Sequence, residues 1–174
     1  MALNHAFLIT AHAYPEQLKD IVGLLSAPNH YFFINIDRKA KWGNKFMDEN
    51  RSAHIHFLEG NERMEVSHGG YSQIAVTLRL LHVAYRYGVA MTYFHFISGQ
   101  DYPIHPNKVF DEYFEQNEGR SFMAIESDEY NSESMKKKYP SRVLPYYFSD
   151  IPCRNNKLVN FMVRGLNFIS KRIW

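Results

Sequence analysis

Cysteine is nearly absent from this chain of 174 residues. The one thiol, Cys153, permits neither an intrachain disulfide nor a cysteine-built zinc site, and it fits a reducing compartment. Long hydrophobic runs are also missing: no stretch approaches the roughly 20 apolar residues of a membrane span. The start, Met1-Ala2-Leu3-Asn4-His5, lacks the basic opening and apolar core of a secretory signal. Nor does charge of one sign dominate. Lys and Arg number 20 against 18 Asp and Glu, a net +2, whereas a nucleic-acid-binding domain is expected to be strongly basic. Glycine-rich phosphate loops are absent too. The loop after the first apolar run reads Ala11-His12-Ala13-Tyr14, without Gly-x-Gly-x-x-Gly, and no Gly-Lys-Ser/Thr occurs anywhere. These absences set aside dinucleotide and P-loop chemistry and a nucleic-acid partner. The expectation is a cytoplasmic chain, with peripheral contact to a membrane surface left open.

What is present is globular: 45% apolar, 22% charged and an aromatic share of 16%. Short apolar runs at 6–10, 31–36, 55–58, 93–98 and 121–125 read as buried strands. Between them lie helical patterns. Pro15 opens one, with Leu18, Ile21, Val22 and Leu25 at helical spacing. Another runs over 72–87, with Ser72 as N-cap and Gly88 as its C′ residue, and a third starts at Pro106. Alternating strands and helices predict an α/β fold with a mostly parallel, Rossmann-type sheet flanked by helices. After Glu126 the alternation fails. The expected organisation is an α/β region over 1–130, then a loop and an amphipathic helix over 131–174. That helix begins near Lys157, carries Leu158, Phe161, Met162, Leu166, Ile169 and Ile173 on one face, and stops at Trp174 with its apolar face unmatched. A basic amphipathic helix can lie on a membrane; docking on a core that continues past the end of the chain is the favoured reading.

Open sheets bind ligands beyond the carboxyl ends of their strands, which directs attention to the following loops. Asp37-Arg38-Lys39 ends the second strand, where an aspartate can accept hydrogen bonds from a ribose or base; a solvated charged turn is the plain alternative. Ser98-Gly99-Gln100-Asp101-Tyr102-Pro103 ends the fourth, offering space and one carboxylate, or simply a rigid turn in which Asp101 accepts from nearby amides. Ser67-His68-Gly69-Gly70-Tyr71-Ser72 exposes amides ahead of a helix, an arrangement that suits an anion or an ordinary cap. Nine histidines raise the question of a metal. His54 and His56 lie two apart on a strand, with His12, His68 or His95 as a third ligand, but no metal-ligand spacing supports a site, and packing histidines are expected instead.

Four of these pieces, in order, resemble the core-2/I-branching β-1,6-N-acetylglucosaminyltransferase family, which includes peptide O-xylosyltransferases. They are Phe7-Leu8-Ile9-Thr10-Ala11-His12 with Pro15; Phe33-Ile34-Asn35-Ile36-Asp37-Arg38-Lys39; Val66-Ser67-His68-Gly69-Gly70-Tyr71-Ser72; and Phe96-Ile97-Ser98-Gly99-Gln100-Asp101-Tyr102-Pro103. The resemblance implies a GT-A-like fold. It also implies an inverting, metal-independent glycosyltransferase that moves GlcNAc or xylose from a UDP-sugar to a hydroxyl of a glycan or glycoconjugate, in the setting of surface polysaccharide assembly. By the same resemblance Thr10, Ala11, His12, Asp37, Arg38 and Lys39 hold the uridine. His68 stands where relatives carry a tyrosine that contacts the nucleotide sugar. Ser98 and Asp101 border the sugar pocket, Glu126 contacts the acceptor, and no metal or cofactor is expected, the UDP-sugar being the donor substrate. The general base and the basic residues that neutralise the leaving diphosphate are expected beyond Trp174, in a C-terminal half that this N-terminal, donor-binding portion lacks. The alternative is a truncated or catalytically inactive nucleotide-sugar-binding module.

Overall fold

The computed structural model describes residues 3–122, 147–151 and 156–173. Its order is β1 (His5–Ala11), α1 (Pro15–Leu25), β2 (His30–Ile36), α2 (Gly43–Glu49), β3 (Ile55–Phe57), α3 (Tyr71–Tyr85), β4 (Tyr93–Ser98), α4 (Asn107–Gln116) and α5 (Lys157–Ile173). The four strands form one all-parallel sheet in the order β3-β2-β1-β4, the α/β, Rossmann-type architecture that the alternation predicts.

Parallel strands are covered on both faces, so they read as continuous apolar runs. Phe7, Ile9 and Ala11 of β1 and Phe32, Ile34 and Ile36 of β2 pack with Leu18, Ile21 and Leu25 of α1 and with Phe46 and Met47 of α2. The alternate residues Ala6, Leu8 and Phe33 face Val76, Leu80 and Ala84 of α3. Period-two alternation along the strands thus builds two cores, one on each side of the sheet.

The first core has a polar inclusion. His5 and His30, which pair in the β1–β2 register, are fully buried, and His95 of β4 lies beside them. Their rings stack among Phe7, Phe110 and Phe114, with His95 4.9 Å from both Phe7 and Phe114. Burial, aided by the neighbouring His30, holds the His5 ring down at about pKa 4. Burial, then His5 and His30, hold His95 at about 3. The pair His54 and His56 also packs: His54 stacks on Tyr31 at 4.6 Å, and His56 lies tilted against Tyr87 with ring centres 4.2 Å apart.

Two local expectations change. Helix α3 begins at Tyr71, so Ser72 lies within it rather than capping it, and Gly88 does not take the left-handed conformation of a C′ glycine. Helix α2 was not anticipated from the sequence. The strand expected at 121–125 lies largely outside the described residues.

The chain divides into two compact units, Met1–Val66 with Ser72–Gly119, and Ser67–Tyr71 with Arg120–Trp174. In the second, Asn167 of α5 accepts the Phe148 N–H at 2.8 Å, and Asp150 fills the space that a side chain at Gly70 would need. Helix α5 carries Leu158, Phe161 and Ile173 exposed, together with Arg164, Lys171 and Arg172. Among the described residues no helix is long and apolar enough to cross a membrane.

Candidate functional site

The strand order locates the site. From β1 the chain steps outward to β2 and β3, then crosses to the far side of β1 to lay down β4. The sense of winding therefore reverses between β1 and β4, and at such a point the loops after the two strands diverge and leave a crevice at their carboxyl ends. Thr10, Ala11, His12, Ser98 and Asp101 lie there, and Asp37 follows on the next strand.

Backbone bonds lock these ends together. The Asp37 N–H donates to the Ala11 carbonyl at 2.7 Å, and the Gly99 N–H to the Thr10 carbonyl at 2.8 Å. Glycine is required at 99, because a Cβ there would stand 2.7 Å from the Ala11 Cβ and 3.2 Å from its Cα. Gly99→Ala is expected to cost about 1–3 kcal/mol through this overlap, with part recovered in the double variant Gly99→Ala/Ala11→Gly. Urea unfolding of both variants checks it.

Asp37 is buried, at 4% exposure. One carboxylate oxygen accepts the Lys39 N–H at 2.8 Å, the turn an aspartate makes with the amide two residues on; the other accepts the Val66 N–H at 3.1 Å. The Lys39 ammonium lies 3.7 Å from that second oxygen and donates to the Val66 carbonyl at 2.7 Å. Arg38 donates to the Arg63 carbonyl, and its own N–H to that of Met64. The loop after β2 is thus strapped to residues 63–66, with the exposed Arg38 and Lys39 placing positive charge at the edge of the sheet.

The residue that anchors this strap, Arg63, was not singled out by the sequence. It is 7% exposed and donates to the carbonyls of Ile36 at 2.7 Å, Asp37 at 2.9 Å and Ala40 at 3.1 Å, and to Asn44 Oδ1 at 2.6 Å. Among the described residues no carboxylate pairs with it. Gly43 makes room, since a Cβ there would overlap the guanidinium. Asn35, fully buried, clasps the backbone of Met64, accepting its N–H at 2.8 Å. The available signal was an arginine, bracketed by Glu62 and Glu65, in a loop that faces a strand's carboxyl end.

At the other wall, Asp101 accepts the Ser98 N–H at 2.7 Å and the Ser98 hydroxyl accepts the Gln100 N–H at 3.2 Å, so this is a self-bonded turn. His12 is exposed. Tyr14, 62% exposed, holds φ +56°, a left-handed conformation that costs a tyrosine roughly 1–2 kcal/mol. Such strain collects where loops are held for function. Thr10, Ala11, His12, Asp37, Arg38, Lys39, Ser98 and Asp101 therefore share one edge of the first unit. His68 belongs to the second unit, where it is exposed, and Glu126 lies outside the described residues.

Among known proteins, the family model for the Core-2/I-Branching enzyme matches residues 5–169, nearly the whole chain. No curated protein matches it.

Proposed function

On the premise that the chain belongs to the Core-2/I-branching enzyme family and is thus a glycosyltransferase, we propose that it binds the uridine diphosphate of a UDP-sugar at the β1–β4 crevice. The reaction would be an inverting, metal-independent transfer of GlcNAc or xylose to a glycan hydroxyl. The observation that carries this reading is the reversal of strand order at β1, which places Thr10–His12, the Asp37 loop and the Ser98–Asp101 turn on one rim. Asp37 holds its loop through two backbone amides and has lone pairs left for a ribose hydroxyl or a base N–H. Arg38 and Lys39 supply charge that favours a diphosphate, since charge-assisted contacts are about twice as strong as neutral ones.

In such a transfer the acceptor oxygen attacks the anomeric carbon opposite the departing UDP, a base removes its proton, and cationic side chains neutralise the new diphosphate charge. Asp37 spends both carboxylate oxygens and Asp101 one on backbone amides, so the general base is not assigned to either. That commitment also supports a second reading, a nucleotide-sugar-binding module without turnover. Release of UDP dependent on an acceptor glycan would exclude it.

The binding step is tested by thermal unfolding with UDP. At 100 times its dissociation constant the nucleotide should stabilise by about 2.7 kcal/mol, a rise of a few degrees. Asp37→Ala is expected to abolish the shift. A variant that binds UDP like the parent would remove Asp37 from the site, and no shift in the parent would remove the crevice.

A further inference from the structure

At the amino-terminal end of the sheet, away from the crevice, three ligand atoms converge on one point. His5 and His30 open β1 and β2 side by side, and Asp111 of α4 lies against them. The His30 Nδ1 donates to the Leu25 carbonyl at 2.6 Å, which leaves Nε2 to face Asp111 Oδ1 at 2.8 Å. The His5 Nδ1 is held by His95 Nε2 at 2.9 Å, which turns its Nε2 toward the same carboxylate oxygen, 3.9 Å away. That His5 Nε2 is buried, in a residue of 0% exposure, and has no hydrogen-bond partner among the described residues. A buried polar atom without a partner is destabilising, so its presence points to a ligand that would satisfy it. The two Nε2 atoms and a carboxylate oxygen all fall within 4.8 Å of one another.

We propose that His5 Nε2, His30 Nε2 and Asp111 Oδ1 bind one divalent cation of the zinc class, in a structural role. Imidazole and carboxylate ligands suit zinc, and tetrahedral coordination at its usual bond lengths sets ligand atoms about 3.3 Å apart. The 2.8 Å and 3.9 Å separations from the two imidazoles to Asp111 bracket that value. The outer groups are those a metal-binding histidine uses: each ring has its other nitrogen fixed, one by a carbonyl and one by a second imidazole. The fourth position opens on the side of Asp111, whose side chain is 26% exposed. The crevice is formed by the opposite ends of the strands, so this site does not rest on the glycosyltransferase reading and its occupancy is read in stability and metal content.

The test strips the full chain with chelator and titrates it with zinc, cobalt(II) or magnesium alone. Zinc is expected to bind at one equivalent and raise the melting temperature by several degrees. Cobalt should develop the visible absorption of a four-coordinate centre, and magnesium should do nothing. Asp111→Asn should weaken zinc binding at least about tenfold, whereas the exposed His82→Gln and His105→Gln should leave it unchanged. No stoichiometric zinc, or zinc binding indifferent to Asp111→Asn but lost in the surface variants, overturns the proposal. Should Asp111→Asn fail to fold, X-ray absorption of the zinc-loaded parent decides. Two imidazoles with oxygen completing the shell support the site, and any other imidazole count overturns it.

Discussion

Arg63→Met should lower the unfolding free energy by about 3–5 kcal/mol, although residue 63 sits in a loop among charged neighbours. The guanidinium satisfies three carbonyls and the Asn44 amide oxygen, three of these bonds being 2.9 Å or shorter. Methionine fills a similar volume but donates nothing, so the Ile36 carbonyl and the Asn44 amide oxygen lose this donor, while the carbonyls of Asp37 and Ala40 keep only the N–H groups of Ala40 and Gly43. Each loss carries about 1–3 kcal/mol of desolvation, offset in part by no longer burying a cation. Arg63→Lys should fall in between, because an ammonium is a point donor and cannot span the fork. The effect should also reach function. Asp37 is presented by the turn whose carbonyls Arg63 holds, so UDP affinity should fall in any Arg63→Met protein that remains folded. Urea unfolding measures the first effect, and a loss below about 1 kcal/mol would mean that water replaces the guanidinium at these carbonyls.

Acid should act on the opposite end of the sheet. His5 and His95 are held neutral in the fold, at about 4 and about 3, while in the unfolded chain they titrate near the ordinary 6.5. Above about pH 6.5 both states carry neutral rings and stability is level. As the pH falls below that, the unfolded chain takes up protons that the folded one refuses. Stability therefore drops between roughly pH 6.5 and 4, by up to about 2 kcal/mol per ring at pH 5. Around these rings stand His30, Asp111 and Tyr93, and the His30–Asp111 contact provides the nearest counter-charge. Urea unfolding at a series of pH values checks the slope, and His95→Gln should remove about half of it. A flat profile down to about pH 5 would mean that both rings accept protons without leaving the core.

The two predictions concern residues with very different legibility. Strands β1 and β2 announce themselves as apolar runs because both of their faces are covered, β4 reads as one although Phe96 is exposed, and Pro15 marks the start of α1. Helix α2 does not announce itself. It has seven residues, buries only Gly43, Phe46 and Met47, and has no side-chain cap, so too little periodic signal exists to find. Asp37 was readable from its place after a hydrophobic strand. Arg63 was not, because an arginine flanked by glutamates looks solvated, and only the notch at Gly43 and the carbonyls of the β2 turn draw it inward. The histidine cluster illustrates a related limit. His5 and His30 meet through strand register and Asp111 through helix packing, and no spacing along the chain encodes either. Residue type at the ends of strands thus suggested the residues proposed to hold uridine, while their supports come from contacts distant in sequence.

The central position of β1 has a consequence for how the protein assembles. Its partner on one side, β2, follows after a single helix, His5 meeting His30; its partner on the other, β4, arrives only after β3 and α3, His5 meeting Tyr93. Closing the longer loop costs about 1 kcal/mol more in chain entropy, and the pairing that closes it is distant in sequence and correspondingly slow. The parallel β1–α1–β2 unit can therefore form while the ribosome is still building α3, whereas the crevice on the β1–β4 seam is completed last. A nucleotide held across that seam would bridge an early-folding half and a late-folding one, acting as a clasp on the slowest contact in the sheet.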